Sequence, residues 1–260
     1  MTGIGNLVVV VGGDPLSADL ARAEVPAGSV VIAADSGLDA AVAAGLVVHH
    51  VVGDFDSVSP DLLALAERTG VQVHRHPADK DATDSELAIR LALDLLGPIA
   101  PEVGRGPMAA PGRPTMLVIG GGGGRLDHLL ADLLALASPL LAQVEVSACF
   151  GPARVTVVRP EQERVVRGRV GEQLSLLPMH GRARGVSTAG LRWPLARADL
   201  VAGTTRAVSN EMLATEARVS VEEGVLLVVQ PGTLAQLISE RSTAYDPSPI
   251  DPSPAPTGAG

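Results

Sequence analysis

Aromatic residues are nearly absent: two Phe, one Tyr and one Trp in a chain of 260 residues. The core must therefore be built from aliphatic side chains, and an aromatic at a ligand site stands out. Cysteine is as scarce. The single Cys149 excludes an internal disulfide and fits a reducing, cytoplasmic setting. Its context, Val146-Ser147-Ala148-Cys149-Phe150, is that of a buried structural thiol. No apolar run approaches the ~20 residues that span a bilayer. Leu7–Val11 has no basic region before it and is too short for the apolar part of a signal peptide. A basic stripe is also missing. The formal charge is -9, so neither nucleic acid nor a membrane is an expected partner. An acidic protein of this kind can handle phosphates only with local cations, either a metal or a few placed Lys and Arg.

What is present is an alternation of short apolar runs and helical segments over the first ~150 residues. Strands are expected at Leu7–Val11, Val30–Ala33, His49–Val52, Val71–His74, Met116–Ile119 and Val144–Ala148. Helices are expected at Asp39–Ala44, from Pro60 to the stop at Gly70, from the capping-box pattern at Thr83 to about Leu96, and at Asp127–Ala137. Apolar strands separated by helices predict an α/β fold with a mostly parallel, Rossmann-like sheet covered on both faces. From Gly151-Pro152 to Gln230 the pattern changes to short alternating segments, among them Gln173–Leu177, Ala217–Val221 and Val225–Val229. Turn signals such as His180-Gly181 separate them. This reads as an antiparallel, all-β sandwich or barrel. The expected organisation is an α/β domain over 1–150, a β-sandwich over 151–240 and a disordered Pro-rich tail over 241–260, with an exposed Pro- and Gly-rich loop at 97–115.

Three acidic motifs each follow a strand, the place where ligands bind in open parallel sheets. In Gly53-Asp54-Phe55-Asp56-Ser57 the two carboxylates, two apart on extended chain, can face one ion. In Lys80-Asp81-Ala82-Thr83-Asp84, Thr83 caps a helix whose first amides can receive a phosphate. In Gly120–Gly124 followed by Arg125-Leu126-Asp127-His128, the glycines let backbone approach phosphate oxygens and Arg125 can grip one bidentately. Asp127 can bind a metal or orient a hydroxyl; His128 can touch phosphate or simply pack. The loop matches neither a Walker A sequence nor Gly-x-Gly-x-x-Gly. Gathered carboxylates repel unless a cation joins them, and hard oxygen ligands suit Mg²⁺ held with substrate phosphates. Farther on, the sole Trp193 lies in Ser187-Thr188-Ala189-Gly190-Leu191-Arg192-Trp193, a face suited to a cationic ring.

The motifs Ala34-Asp35-Ser36-Gly37, Gly53-Asp54-Phe55-Asp56-Ser57, Lys80-Asp81-x-Thr83-Asp84, Gly123-Gly124-Arg125-x-Asp127-His128, Gly190-Leu191-Arg192-Trp193 and Val208-Ser209-Asn210-Glu211 occur in that order. Together, over roughly residues 7 to 230, the chain resembles the thiamine pyrophosphokinases. The resemblance implies transfer of pyrophosphate from ATP to the hydroxyl of thiamine, releasing AMP, by a homodimer with active sites at the subunit interface. It implies Asp54, Asp56 and Asp84 as Mg²⁺ ligands and Asp127 as a further catalytic acid. Asp35, Lys80, Asp81, Thr83, Gly123, Gly124, Arg125 and His128 would lie on the ATP side. Ser187, Trp193, Ser209 and Asn210 would hold thiamine, with Trp193 reaching in from the partner subunit. Gly122 stands where the family often has a small hydroxyl residue, which removes one phosphate contact. Transfer to another hydroxymethyl heterocycle, such as a pterin, and a non-catalytic nucleotide-binding module are the competing readings. The Leu-Arg-Trp segment favours thiamine, because a cationic ring gains most from Trp.

Overall fold

The computed structural model describes residues 5–97 and 113–232. Residues 98–112 of the expected loop, and the whole Pro-rich tail, lie outside them.

Six parallel strands form the first part: β1 (Asn6–Val10), β2 (Val30–Ala34), β3 (His50–Gly53), β4 (Gln72–Arg75), β5 (Thr115–Gly120) and β6 (Glu145–Phe150). Their order in the sheet is β4-β3-β2-β1-β5-β6, so the chain moves outward from β1 to β4 and then returns to β1's other side. The direction of winding reverses between β1 and β5, which opens a crevice at their carboxyl ends.

Side-chain alternation along β1 explains why these strands read as continuous apolar runs. Val8 and Val10 face one core with Leu20 of α1 (Ala18–Glu24), Leu38 of α2 (Gly37–Ala43) and Ala66 of α3 (Pro60–Thr69). Leu7 and Val9 face the other, with Ala88, Ile89 and Ala92 of α4 (Asp84–Leu96) and Leu136 of α5 (Leu126–Leu136). Both faces are covered, so neither can afford polar side chains. Helix boundaries follow the expected punctuation. Pro60 opens α3 and Gly70, at φ +90°, closes it. The Thr83 hydroxyl accepts from the Glu86 amide at 3.2 Å to open α4. The seven-residue α1, capped by Ser17, was not foreseen. Among the described residues no helix is long and apolar enough to cross a membrane.

At Gly151-Pro152 the chain turns and β7 (Ala153–Val158) pairs antiparallel with β6. The remaining strands are antiparallel: β8 (Arg164–Arg167), β9 (Gln173–Ala189), β10 (Ala198–Leu200), β11 (Asn210–Glu211), β12 (Glu216–Ser220) and β13 (Glu223–Gln230). They enclose a separate aliphatic core that includes Val158, Leu174, Leu176, Met212, Val219 and Leu226. The sequence expectation breaks down at β9. His180-Gly181 has the composition of a turn between strands, but the two lie inside one strand of 17 residues. The positive φ of His180 (+56°) and Gly181 (+136°) bends that strand without ending it. Its first half pairs with β13 through Ser175–Met179, and its second half with β12 through Ser187–Ala189. One bent strand thus pairs with β13 along its first half and with β12 along its second.

Candidate active site

The crevice between β1 and β5 holds a cavity of about 590 Å³. Its wall takes contributions from all three acidic motifs and from the segments after β1 and β2: Asp35, Asp54, Lys80, Thr83, Asp84, Gly122, Gly123, Arg125 and His128 all line it. Asp81, Gly124 and Asp127 are exposed beside the wall rather than part of it.

Close packing creates the acidic side. Gly37 lies so near β1 that an added Cβ would sit 2.2 Å from the Val10 carbonyl oxygen, which accounts for glycine after Ala34-Asp35-Ser36. Asp35 is held in a left-handed conformation (φ +46°) with its amide donating to the Val52 carbonyl at 2.8 Å. Its carboxylate reaches Asp54 and Asp56: one ligand oxygen from each of the three lies within 4.8 Å of the others. Asp54 and Asp56 do meet, but not through strand alternation. Phe55 between them is left-handed (φ +65°), and the segment is a turn anchored by the buried Phe55 ring with the Arg75 guanidinium 5.1 Å above it. A bulky residue in that region stores backbone strain, a common property of ligand sites.

Asp84 is not in the three-carboxylate group. Instead it shares a cation with Asp54: the Lys80 ammonium lies 2.8 Å from Asp54 Oδ2 and 3.1 Å from Asp84 Oδ1. The hydrogen bond from Lys80 is the main reason the Asp54 carboxyl titrates below its usual range. Burial alone would lower Lys80, but its bonds to Asp54 and Asp84 outweigh it and leave the ammonium raised. Burial pushes Asp35 the other way, upward, helped by the charges of Asp84, Asp56 and Asp54. Asp35 Oδ1 is buried with no hydrogen-bond partner in the protein. An orphaned acceptor among like charges is what a bound cation would satisfy. The donor set, carboxylate oxygens at the edge of the cavity, fits Mg²⁺.

Opposite stands the glycine loop. Gly122, Gly123 and Gly124 are all left-handed, at φ +77°, +65° and +70°. A Cβ on Gly121 would fall 2.0 Å from the Asp14 carbonyl oxygen, so the loop after β1 and the loop after β5 touch backbone to backbone. Arg125 grips Asp127 through two bonds of 3.1 and 2.6 Å, which holds the Asp127 carboxyl at about 2. Both side chains are exposed, so solvent screens this pair and leaves Arg125 free to exchange partners.

Two family descriptions match this chain: the catalytic domain of thiamin pyrophosphokinase over residues 23–148, and its vitamin B1 binding domain over residues 156–226. The chain belongs to the thiamin pyrophosphokinase family. A thiamine pyrophosphokinase of Bacillus subtilis is 22% identical over 199 residues, covering 76% of this chain and 86% of that one. The crystal structure of the Bacillus subtilis enzyme superposes with a TM-score of 0.71 at 20% identity, covering 88% of this chain and all of that one. A family protein from Enterococcus faecalis gives a TM-score of 0.66 at 25% identity, covering 86% and 97%. The Candida albicans thiamin pyrophosphokinase gives 0.67 at 14% identity, covering 87% and 90%.

The four C-terminal residues expected around thiamine do not line the cavity. Ser187 Oγ accepts from the Arg197 amide at 3.1 Å, and the left-handed Ser209 (φ +58°) donates its amide to Ser175 Oγ at 3.1 Å. Trp193 is 56% exposed, with the Arg192 guanidinium 5.3 Å over its ring, and Asn210 is buried against its backbone.

Among the cavity residues that the linear motifs do not mark is one acid. Asp132 is 9% exposed on α5 and lines the cavity one turn beyond His128. An acid on the inward face of Leu-Asp-His-Leu-Leu-Ala-Asp-Leu-Leu-Ala-Leu is the signal that could have found it, because a helix that apolar has no cheap place for a charge. Burial raises its pKa, opposed by a hydrogen bond from Ser85 and by the nearby His128. A carboxyl raised in the folded state stabilises most below its unfolded value and loses that contribution as pH rises. Asp132→Asn is therefore expected to match wild type in thermal melts below pH ~4 and to exceed it by several degrees at pH 8. Equal melting curves at both pH values would show that burial exacts no charge penalty here.

Proposed function

We propose that this chain is a thiamine pyrophosphokinase that transfers the terminal diphosphate of ATP to the hydroxyl of thiamine, giving thiamine diphosphate and AMP. The observation that carries this reading is the meeting, at one carboxyl-end crevice, of a three-carboxylate group, a doubly paired lysine and a left-handed glycine loop in a chain of this family. In this reading residues 1–150 form a Rossmann-like nucleotide domain and residues 151–240 a β-sandwich that binds thiamine. The lone buried Cys149, its thiol pushed up to about 12 mainly by burial, supports a cytoplasmic setting.

The thiamine hydroxyl oxygen attacks the β-phosphorus, the bond from that phosphorus to the oxygen of the α-phosphate breaks, and AMP departs with that oxygen. Asp35, Asp54 and Asp56, with Asp84 beside them, would hold Mg²⁺. When bound, the ion supplies charge neutralisation on the phosphate oxygens. The chain's own groups position the rest. Lys80 faces the phosphates between Asp54 and Asp84, the α4 amides capped by Thr83 offer an anion site, and the Gly122–Gly124 backbone lets the polyphosphate lie close. Arg125 turns from Asp127 to a phosphate. That exchange frees Asp127, a poor proton acceptor while Arg125 holds it near 2, to take the hydroxyl proton. Positioning and charge neutralisation dominate catalysis of this type. The thiamine-side residues of one chain lie away from its own cavity, and the exposed Trp193 supports a homodimer in which a second copy completes each site.

Mixing the purified protein with thiamine, ATP and Mg²⁺ tests this directly. AMP and thiamine diphosphate are expected in equal amounts. ADP with thiamine monophosphate would replace the mechanism by an ordinary kinase, and turnover only with a pterin alcohol would replace the substrate.

A further inference from the structure

Asn210 sits at 3% exposure against the backbone of Trp193. Its Oδ1 accepts from the Trp193 amide at 3.1 Å and from the Glu211 amide at 2.8 Å. Its Nδ2 donates to the Trp193 carbonyl at 2.8 Å. A side-chain amide has one acceptor oxygen with two lone pairs and two donor hydrogens. Both lone pairs and one hydrogen are thus committed to backbone.

The segment containing Trp193 runs antiparallel to the one containing Asn210. Leu213 donates to the Gly190 carbonyl at 2.9 Å, Leu191 bridges Met212, and the Arg192 amide donates to the Glu211 carbonyl at 2.9 Å. The next rung would need a peptide group opposite Trp193. The Asn210 carboxamide supplies it, exchanging both an N–H and a C=O bond as a peptide does in an antiparallel ladder. The same rung carries the exposed pair above it: Arg192 Nη1 bonds Glu211 Oε2 at 2.9 Å while its guanidinium lies 5.3 Å from the Trp193 ring.

We propose that Asn210 is a positioning residue that clamps the backbone on both sides of Trp193, and so fixes the indole face for a cationic heterocycle, without itself touching that ligand. This assignment rests on the thiamine reading above. Replacing the carboxamide frees the backbone at Trp193 and blurs the ring's orientation; no substrate contact is lost directly.

A double-mutant comparison of Asn210→Ala, Trp193→Ala and the two together separates clamp from contact. Asn210→Ala is expected to raise the KM for thiamine roughly tenfold, the scale of one to two lost hydrogen bonds, and to leave the KM for ATP within twofold. In the Trp193→Ala background the same change is expected to add nothing. A full second tenfold loss in the double variant would overturn the proposal, because Asn210 would then meet the substrate by itself. Trp193 is the sole tryptophan, so its fluorescence reads the clamp without substrate. Lower anisotropy in ligand-free Asn210→Ala is expected, and an unchanged value would count against the clamp even if no thiamine turnover were found in any form. Asn210→Ser keeps a small neutral hydroxyl that is too short to make both bonds to the Trp193 backbone. It is expected to shift the KM for thiamine and the anisotropy in the same direction, and it carries the comparison should the alanine variant fail to fold.

Discussion

Asp56→Asn is expected to lower kcat for diphosphate transfer about 10³-fold while the thermal melt stays at or slightly above that of wild type. The first half follows from charge. Asp56 supplies one of three carboxylate oxygens grouped within 4.8 Å, and a carboxamide oxygen binds a hard divalent cation far less well than a carboxylate. Losing one electrostatic stabiliser of a transition state typically costs 10² to 10³ in rate, and a metal ligand stands at the upper end. The second half follows from what Asp56 does not do for the fold. It is exposed, and its hydrogen bonding is local: Oδ1 accepts from Ser57 at 2.7 Å, which an amide oxygen can also do. Removing one of three like charges relieves repulsion on Asp35 and Asp54. Steady-state AMP release and melting by circular dichroism check the two halves separately. Near-normal turnover would remove Asp56 from the cation set.

The same group shows how far the amino-acid order can be read. Asp54, Asp56, Lys80 and Asp84 announce themselves because each follows a strand, and strand ends converge in a parallel sheet. Asp35 belongs with Asp54 and Asp56, a grouping the linear order does not declare. It arises because β2 and β3 are neighbours, with Ala34 beside Val52, and a left-handed turn swings Asp35 toward the next strand end. Asp84, which the resemblance places among the Mg²⁺ ligands, meets Asp54 through Lys80, since the start of α4 sets its carboxylate beside the ammonium. Asp132 is legible only as a misfit, an acid within a helix so rich in leucine that it has no favourable place for a charge. In the β-rich part the failure is of another kind. Positive-φ residues such as His180 and Gly181 look like chain reversals in sequence, yet flanking ladder bonds to β13 and β12 carry the strand through them. Turn chemistry is local, and tertiary pairing overrules it. The helix ends at Gly70 and Thr83 were legible for the opposite reason: caps are satisfied within a few residues, so neighbours in sequence suffice.

Lys80 carries the second large expectation. Lys80→Met keeps the length and apolar stem of the side chain and removes only the ammonium. In wild type that charge sits between Asp54 and Asp84 with about an eighth of the side chain exposed, so both carboxylates tolerate each other's company. Without it two acids face each other in a half-buried cleft that, in the proposed reaction, also accepts a polyanion. The expected result is a fall of about 10²- to 10³-fold in kcat/KM for ATP, with a higher Mg²⁺ concentration needed for half-maximal rate. Lys80→Arg is not expected to restore activity. A planar guanidinium cannot occupy the point between two carboxylates at 2.8 and 3.1 Å that a compact ammonium fills. Thiamine binding, followed by Trp193 fluorescence, should change little in either variant, because the proposed role of Lys80 is toward the phosphates and that of Trp193 toward the thiamine ring. If Lys80→Met turned over within twofold of wild type, Lys80 would be only a structural counter-ion. The polyphosphate would then be held by Arg125, the α4 amides and the glycine loop alone.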